Sequence, residues 1–148
     1  MNKYIDLESR YCAHNYHPLP VVLTHGEGVF VWDESGRKYL DMMSAYSAVS
    51  HGHANPRLVR LVRDQVGTLN IVSRAFYTDK LGPFLAKACE LTGQDMVLPM
   101  NTGAEAVETA IKAARKWAYT VKGVADDKAE IIACSGNFHG RTTTIIAM

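Results

Sequence analysis

Long apolar runs, paired cysteines and an excess of either charge are all missing from this sequence, and each absence excludes a class of protein. Lys and Arg number 16 against 15 Asp and Glu and are scattered along the chain, so nothing recommends a nucleic-acid partner or an acidic membrane surface. The three cysteines, Cys12, Cys89 and Cys134, are odd in number and far apart, with no CxxC pair, which leaves free thiols in a reducing compartment as the expectation. No stretch is apolar enough to cross a bilayer, and the opening MNKYIDLESRYCAHNYHPLP carries early acids where a signal peptide or transit peptide would not. A soluble, cytoplasmic protein is expected. Internal repeats and low-complexity tracts are absent, as are the nucleotide loop GxxxxGK(S/T) and the dinucleotide fingerprint GxGxxG.

What is present is hydrophobic composition of 47%, enough for a compact chain of 148 residues. Such a chain buries about two thirds of its unfolded surface. Residues 1–28 show little periodicity and hold Pro18, Pro20, Gly26 and Gly28, which predicts an arm. Val29–Trp32 and Arg37–Leu40, separated by Asp-Glu-Ser-Gly36, predict a β-hairpin. Asn55 before Pro56 is a helix cap with proline in the first turn, and Leu58, Val59, Leu61, Val62 and Val66 recur at helical spacing up to Gly67. A second helix is expected after Asp79 as its cap, with Phe84, Leu85, Ala88 and Leu91 facing inward and Gly93 as its stop.

Met96–Met100 is short and apolar and leads through Asn101-Thr-Gly103 into a helical repeat of Val107, Ala110, Ile111, Ala114, Trp117 and Ala118. Glu130–Cys134 is the next apolar run, so a strand, long helix and strand are predicted, a βαβ unit with a right-handed crossover. Two parallel strands and the unfinished apolar stretch 141–148 do not make a sheet covered on both faces. The expectation is a truncated chain, or one whose partner segment is supplied separately.

Two loops then fall at the carboxyl edge of the expected sheet, where open α/β folds bind ligands. Thr102-Gly103-Ala104 opens a helix whose first amides point outward and whose dipole favours an anion; a phosphate fits, and so does an ordinary helix start capped by Thr102 or Asn101. In Ser135–Thr142, Phe138 offers a flat face for an aromatic ring and Arg141 a planar fork for a carboxylate. The plain alternatives are a core phenylalanine and a solvated surface charge. Tyr16 and Tyr46 suit either a packed interior or a binding wall. His51-Gly-His53 lacks a third ligand nearby and reads as a turn cap or a packed pair, so no metal site is expected.

Several stretches taken in order resemble the ornithine aminotransferases of the class III, pyridoxal-phosphate-dependent subgroup. They are Tyr11-Cys-Ala-His-Asn-Tyr-His-Pro-Leu-Pro20, Ser47-Ala-Val, Ser73-Arg-Ala-Phe-Tyr77, Leu98-Pro-Met-Asn-Thr-Gly103, Ala114-Arg-Lys-Trp117, Tyr119-Thr-Val-Lys-Gly123 and Gly136-Asn-Phe-His-Gly-Arg141. The resemblance implies an α/β, type I pyridoxal-phosphate transferase fold, incomplete here. Residues 1–54 would be the arm and hairpin of the small domain, and 55–148 the first part of the large domain with its mainly parallel sheet, in a homodimer. It implies that Thr102, Gly103 and Ala104 hold the cofactor phosphate and that Phe138 stacks on its ring with His139 beside it. Arg141 would bind the substrate α-carboxylate, Tyr16 its α-amino end, and Tyr46 would favour ornithine over shorter amines.

The implied reaction moves the δ-amino group of ornithine to 2-oxoglutarate, giving glutamate and glutamate semialdehyde, which cyclises to pyrroline-5-carboxylate. None of Lys3, Lys38, Lys80, Lys87, Lys112, Lys116, Lys122 and Lys128 lies in a motif matching the family's Schiff-base lysine, which is expected beyond Met148 together with the other catalytic groups. Acetylornithine or 4-aminobutyrate as the amine is the nearest competing reading. A non-catalytic phosphate- or nucleotide-binding module is the competitor from another class.

Overall fold

A computed structural model describes residues 2–148, in two compact units that divide between Phe76 and Tyr77. The first holds helix α1 (Lys3–Tyr11), strands β1 (Leu23–Glu27), β2 (Phe30–Asp33) and β3 (Lys38–Leu40), and helix α2 (Pro56–Thr68). The expected arm is therefore not featureless: Asn2 starts α1 by accepting the Tyr4 amide at 2.9 Å, and its side chain also meets Glu34 beyond β2.

The hairpin forms as expected, with Phe30 opposite Leu40 and Trp32 opposite Lys38. It gains a third strand that the sequence reading left in the arm. β1 pairs antiparallel with β2 through a two-residue turn at Gly28-Val29, and a register shift falls between Leu23 and His25. Asp33 organises the β2–β3 turn. Its Oδ1 accepts from Ser35 N at 2.9 Å, Ser35 Oγ at 2.6 Å and Arg37 N at 3.0 Å, while Tyr39 donates to Oδ2 at 2.7 Å. The donors, first among them the Ser35 hydroxyl and then Tyr39, pull its pKa from 3.8 to about 2.

Helix α2 begins where Asn55-Pro56 predicts, with Asn55 Oδ1 accepting the amides of Arg57 and Leu58. It runs through Gly67 to Thr68 because Gln65 anchors the end twice, its carbonyl accepting Leu69 N and its side chain donating to Leu69 O at 2.7 Å.

The second unit contains α3 (Leu81–Thr92), α4 (Gly103–Thr120) and a 3-10 turn at Ile145–Ala147. The expected cap on α3 is corrected: the N-cap position falls on Lys80, which makes no side-chain cap bond, while Thr78 Oγ1 accepts Leu81 N at 3.2 Å and Asp79 pairs with Lys80 at 2.8 Å. Gly93 ends α3 at φ +68° as expected. On its predicted inward face Leu85 and Ala88 are half-buried, whereas Phe84 and Leu91 are exposed.

The βαβ unit is the main correction. Its helix is α4, but neither Met96–Met100 nor Glu130–Cys134 is a strand, and the sheet among the described residues is three-stranded and antiparallel. A buried parallel strand needs neighbours along its edge and cover on both faces. Met96, Leu98 and Ile132 instead stand 88%, 69% and 97% exposed.

The expected core is likewise small. Only Val31, Ile111 and Ile145 are buried among the described residues, and the accessible surface is 12997 Å². A compact chain of 16.3 kDa would expose about 7,500 Å². The three cysteines are free, and no described helix is long and apolar enough to cross a membrane.

A pH test follows from Asp33. Its depressed folded pKa contributes stability that is complete above 3.8 and is lost as pH falls through about 2. Asp33→Asn is therefore expected to lower the thermal midpoint near neutral pH, with the deficit closing in that acidic window. A deficit that stays constant into strong acid would refute the role.

Candidate functional site

Helix α4 starts with a reciprocal cap. Thr102 Oγ1 accepts Glu105 N at 3.1 Å, and Glu105 Oε2 reaches back to the amides of Asn101 at 2.9 Å and Thr102 at 3.0 Å. This is the helix start capped by Thr102 that the sequence left open, and it does not exhaust the donors. The amides of Gly103 and Ala104 have no acceptor among the described residues. Both belong to the first turn, where the helix dipole concentrates the equivalent of roughly half a positive charge.

The loop after residue 134 closes onto this turn. Ile145, only 1% exposed, is the most buried side chain among the described residues, and Thr142 Oγ1 donates to the Glu108 carboxylate on α4. That bond is the leading cause of the lowered Glu108 pKa. Gly140 makes the approach possible. It sits at φ +124°, and a Cβ there would overlap Ile145 Cδ1 and come within 3.0 Å of Ala104 Cβ. Only glycine combines that conformation with that proximity.

The result is a cleft of about 420 Å³ bounded by Gly103, Ala104 and Val107 on α4 and by Phe138, His139, Gly140 and Arg141 on the loop. Phe138 is 79% exposed, which removes the reading of it as a core residue. The ring nitrogen Nε2 of His139 is buried with no hydrogen-bond partner. Such an atom is costly unless something in the cleft satisfies it. Two open amides, a backbone without side-chain cover, an exposed aromatic face and a guanidinium together suit a ligand that is anionic at one end and planar at the other. The Glu105 carboxylate, bound over Asn101 and Thr102, opposes anion binding and keeps the pull of the site moderate.

Tyr16 and Tyr46 belong to the first unit. Tyr16 lies on the wall of a larger cleft, about 630 Å³, between α1 and the segment from Cys12 to Leu23. No lysine or arginine lines that cleft, so despite its size it has little to offer a phosphate. Tyr46 is 88% exposed, within a run of four non-glycine residues at positive φ: Ser44 at 50°, Ala45 at 47°, Tyr46 at 55° and Ser47 at 73°. Left-handed backbone costs such residues roughly 1–2 kcal/mol each, so the run must be held from outside.

The hold is supplied by Asp41, which carries no motif of its own, and by His53, which the sequence marks only as a turn-capping or packing residue. Asp41 Oδ1 accepts the amides of Met43 and Ser44, and its Oδ2 accepts from His53 Nε2 at 2.7 Å. These bonds, that of His53 first, keep the Asp41 carboxyl below its usual range. His51 takes no part; its Nδ1 lies 3.3 Å from Ser50 Oγ. Among the described residues no three metal-binding side chains cluster.

Residues 11–148 match the model of the family described as "Aminotransferase class-III". An ornithine aminotransferase of Geobacillus sp. (strain WCH70) is 60% identical over 144 residues, which are 97% of this chain and 36% of that protein. Among solved structures, an acetylornithine aminotransferase from Elizabethkingia anophelis is 60% identical with a TM-score of 0.87, covering 96% of this chain and 35% of its own. An ornithine aminotransferase from Toxoplasma gondii, whose structure reveals partial occupancy of PLP at that protein's active site, is 42% identical with a TM-score of 0.94. That match covers 97% of this chain and 34% of its own. The chain thus spans about a third of the length of the relatives it matches.

The loop–helix contact makes a prediction independent of any ligand. Gly140→Ala should destabilise the fold by about 1–3 kcal/mol, read from denaturant unfolding. Part of that loss should vanish in an Ile145→Ala background, where the overlapping methyl is gone. Equal losses in the two backgrounds would show that the close approach is not what requires glycine.

Proposed function

The chain belongs to the class-III aminotransferase family, and on that premise we propose that the protein carrying it is a pyridoxal-phosphate-dependent ornithine δ-aminotransferase. The observation that carries this reading is the cleft between the start of α4 and the 135–141 loop, where Gly103, Ala104, Phe138, His139 and Arg141 border one space. In the whole protein we assign residues 1–54 to the small domain and 55–148 to the start of a large domain with a mainly parallel sheet, in a cytoplasmic homodimer. The support for these assignments is the resemblance in motif.

The residues present fit the cofactor. The amides of Gly103 and Ala104 would take its phosphate, with the Thr102 hydroxyl, which accepts from Glu105 N and keeps its own proton to donate. Phe138 would lie against the ring, and His139 Nε2 would find there the polar partner it otherwise lacks. When bound, pyridoxal phosphate supplies a conjugated ring that takes up the electrons released as the carbon bearing the amine loses a proton.

This chain's side chains would do the positioning. The resemblance assigns the substrate α-carboxylate to Arg141, whose planar fork matches it, and the α-amino group to Tyr16. With both held, the δ-amine is the nucleophile left to react, and its orientation is fixed before chemistry begins. Tyr46 favours ornithine over shorter amines. The acceptor is 2-oxoglutarate, and the products are glutamate and glutamate semialdehyde, which cyclises to pyrroline-5-carboxylate. Acetylornithine as substrate is the second reading, favoured by the 60% identity to an enzyme of that name.

Ping-pong kinetics with ornithine and 2-oxoglutarate test the assignment. The full-length protein is expected to turn over and the 148-residue chain alone is not, because none of its eight lysines matches the cofactor-bearing motif. In the full-length protein Arg141→Gln should cut kcat/KM for ornithine by about 10- to 100-fold, the worth of a charged hydrogen bond. Tyr46→Ile should shift preference from ornithine toward 4-aminobutyrate. Better turnover of acetylornithine than of ornithine by the unaltered protein would transfer the assignment to the second reading.

A further inference from the structure

Asp41 stands at a junction of three segments. Its own amide donates to Val29 O at 2.9 Å, tying the end of β3 to the β1–β2 turn. One carboxylate oxygen accepts Met43 N at 3.0 Å and Ser44 N at 2.9 Å, entering the positive-φ run, and the other accepts His53 Nε2 at 2.7 Å, beyond the exit of that run.

His53 is itself locked in place. Its amide and carbonyl bond Gly28 at 2.8 and 2.9 Å, and its ring lies so close over Gly26 that a Cβ there would meet it at 2.8 to 3.0 Å. Gly52, at φ +82°, would bring a Cβ within 3.1 Å of the Gly28 backbone. Gly26 and Gly52 thus let two backbones approach closely enough for one histidine to reach one aspartate. The backbone bonds to Val29 and Gly28 pin both ends of residues 42–52 to the sheet, the Asp41–His53 pair joins those ends to each other, and Tyr46 lies within the segment so closed.

We propose that Asp41 and His53 are positioning residues for Tyr46: their hydrogen bond closes the base of the turn, sets the direction in which the phenol projects, and so sets the amine selectivity of the enzyme. The proposal rests on the substrate role assigned above to Tyr46. The pair touches no reacting group and acts only through the backbone it restrains.

The experiment uses the full-length holoenzyme and reads the ratio of kcat/KM for ornithine to that for 4-aminobutyrate. His53→Phe keeps the ring and loses the donor. It is expected to raise KM for ornithine and lower the ratio by about tenfold, with kcat little changed and 4-aminobutyrate turnover preserved. His53→Gln, whose amide nitrogen falls near the place of Nε2, should restore most of the ratio. In a Tyr46→Ile background His53→Phe should have no further effect on it.

An unchanged ratio in His53→Phe, or a loss just as large when Tyr46 is already replaced, would overturn the proposal. If Tyr46→Ile alone leaves the ratio unaltered, the substrate role of Tyr46 falls first and the proposal with it, a pattern distinguishable from failure of the pair alone. Should His53→Phe not retain cofactor, Asp41→Asn takes its place. It keeps an acceptor for the Met43 and Ser44 amides, removes the charge that holds His53, and is expected to move the ratio in the same direction.

Discussion

The contact between a side-chain-free Gly140 and the methyl of Ala104 is the constraint on which the candidate site depends. Everything else in the second unit serves it. Ile145 buries itself to hold the loop down, and Thr142 secures the loop to Glu108 one turn further along α4. The Thr102–Glu105 cap fixes where the helix begins, so that the amides left open belong to Gly103 and Ala104 and not to their neighbours. The cap uses acceptors already on the chain and leaves the two donors facing the loop, so helix stability and ligand binding draw on different groups.

Carboxylates play the corresponding part in the first unit. Asp33 gathers four donors and turns β2 into β3; Asp41 gathers three and leads β3 into the turn that carries Tyr46. Both sit at strand ends, where backbone amides lose their ladder partners, and in both an ionised acceptor does better than a neutral one. A short aspartate side chain reaches amides two to four residues ahead of it, which is why this residue type recurs at such places.

What could be read from the sequence was local. The Asn55-Pro56 cap, the Gly93 stop and the hairpin turn are decided within four or five residues, and each formed where expected. Met96–Met100 and Glu130–Cys134 have strand composition without strand structure, because pairing depends on an edge that no short window contains. Asp79 does not cap α3 because its carboxylate pairs with Lys80, and the Leu81 amide goes instead to the Thr78 hydroxyl. Within the site, the loop and the helix start were legible as donors and acceptors, but the need for glycine at 140 depends on where Ile145 ends up. His53 reads as a packing or capping residue from its setting, whereas its partner twelve residues earlier is a tertiary fact.

The positive-φ turn at Ser44–Ser47 also bears on the order of folding events. Its local bonds, such as Tyr46 N to Met43 O at 3.0 Å and Val49 N to Ser44 O at 3.1 Å, are few against roughly 1–2 kcal/mol of backbone cost per residue, so the turn is a poor nucleus and depends on the ladder that restrains it. β1, β2 and β3 must pair, and the chain must then return past Gly28, before the segment between them can wind the unfavourable way. Tyr46 therefore acquires its orientation among the last steps in this part of the molecule, after the sheet has become native.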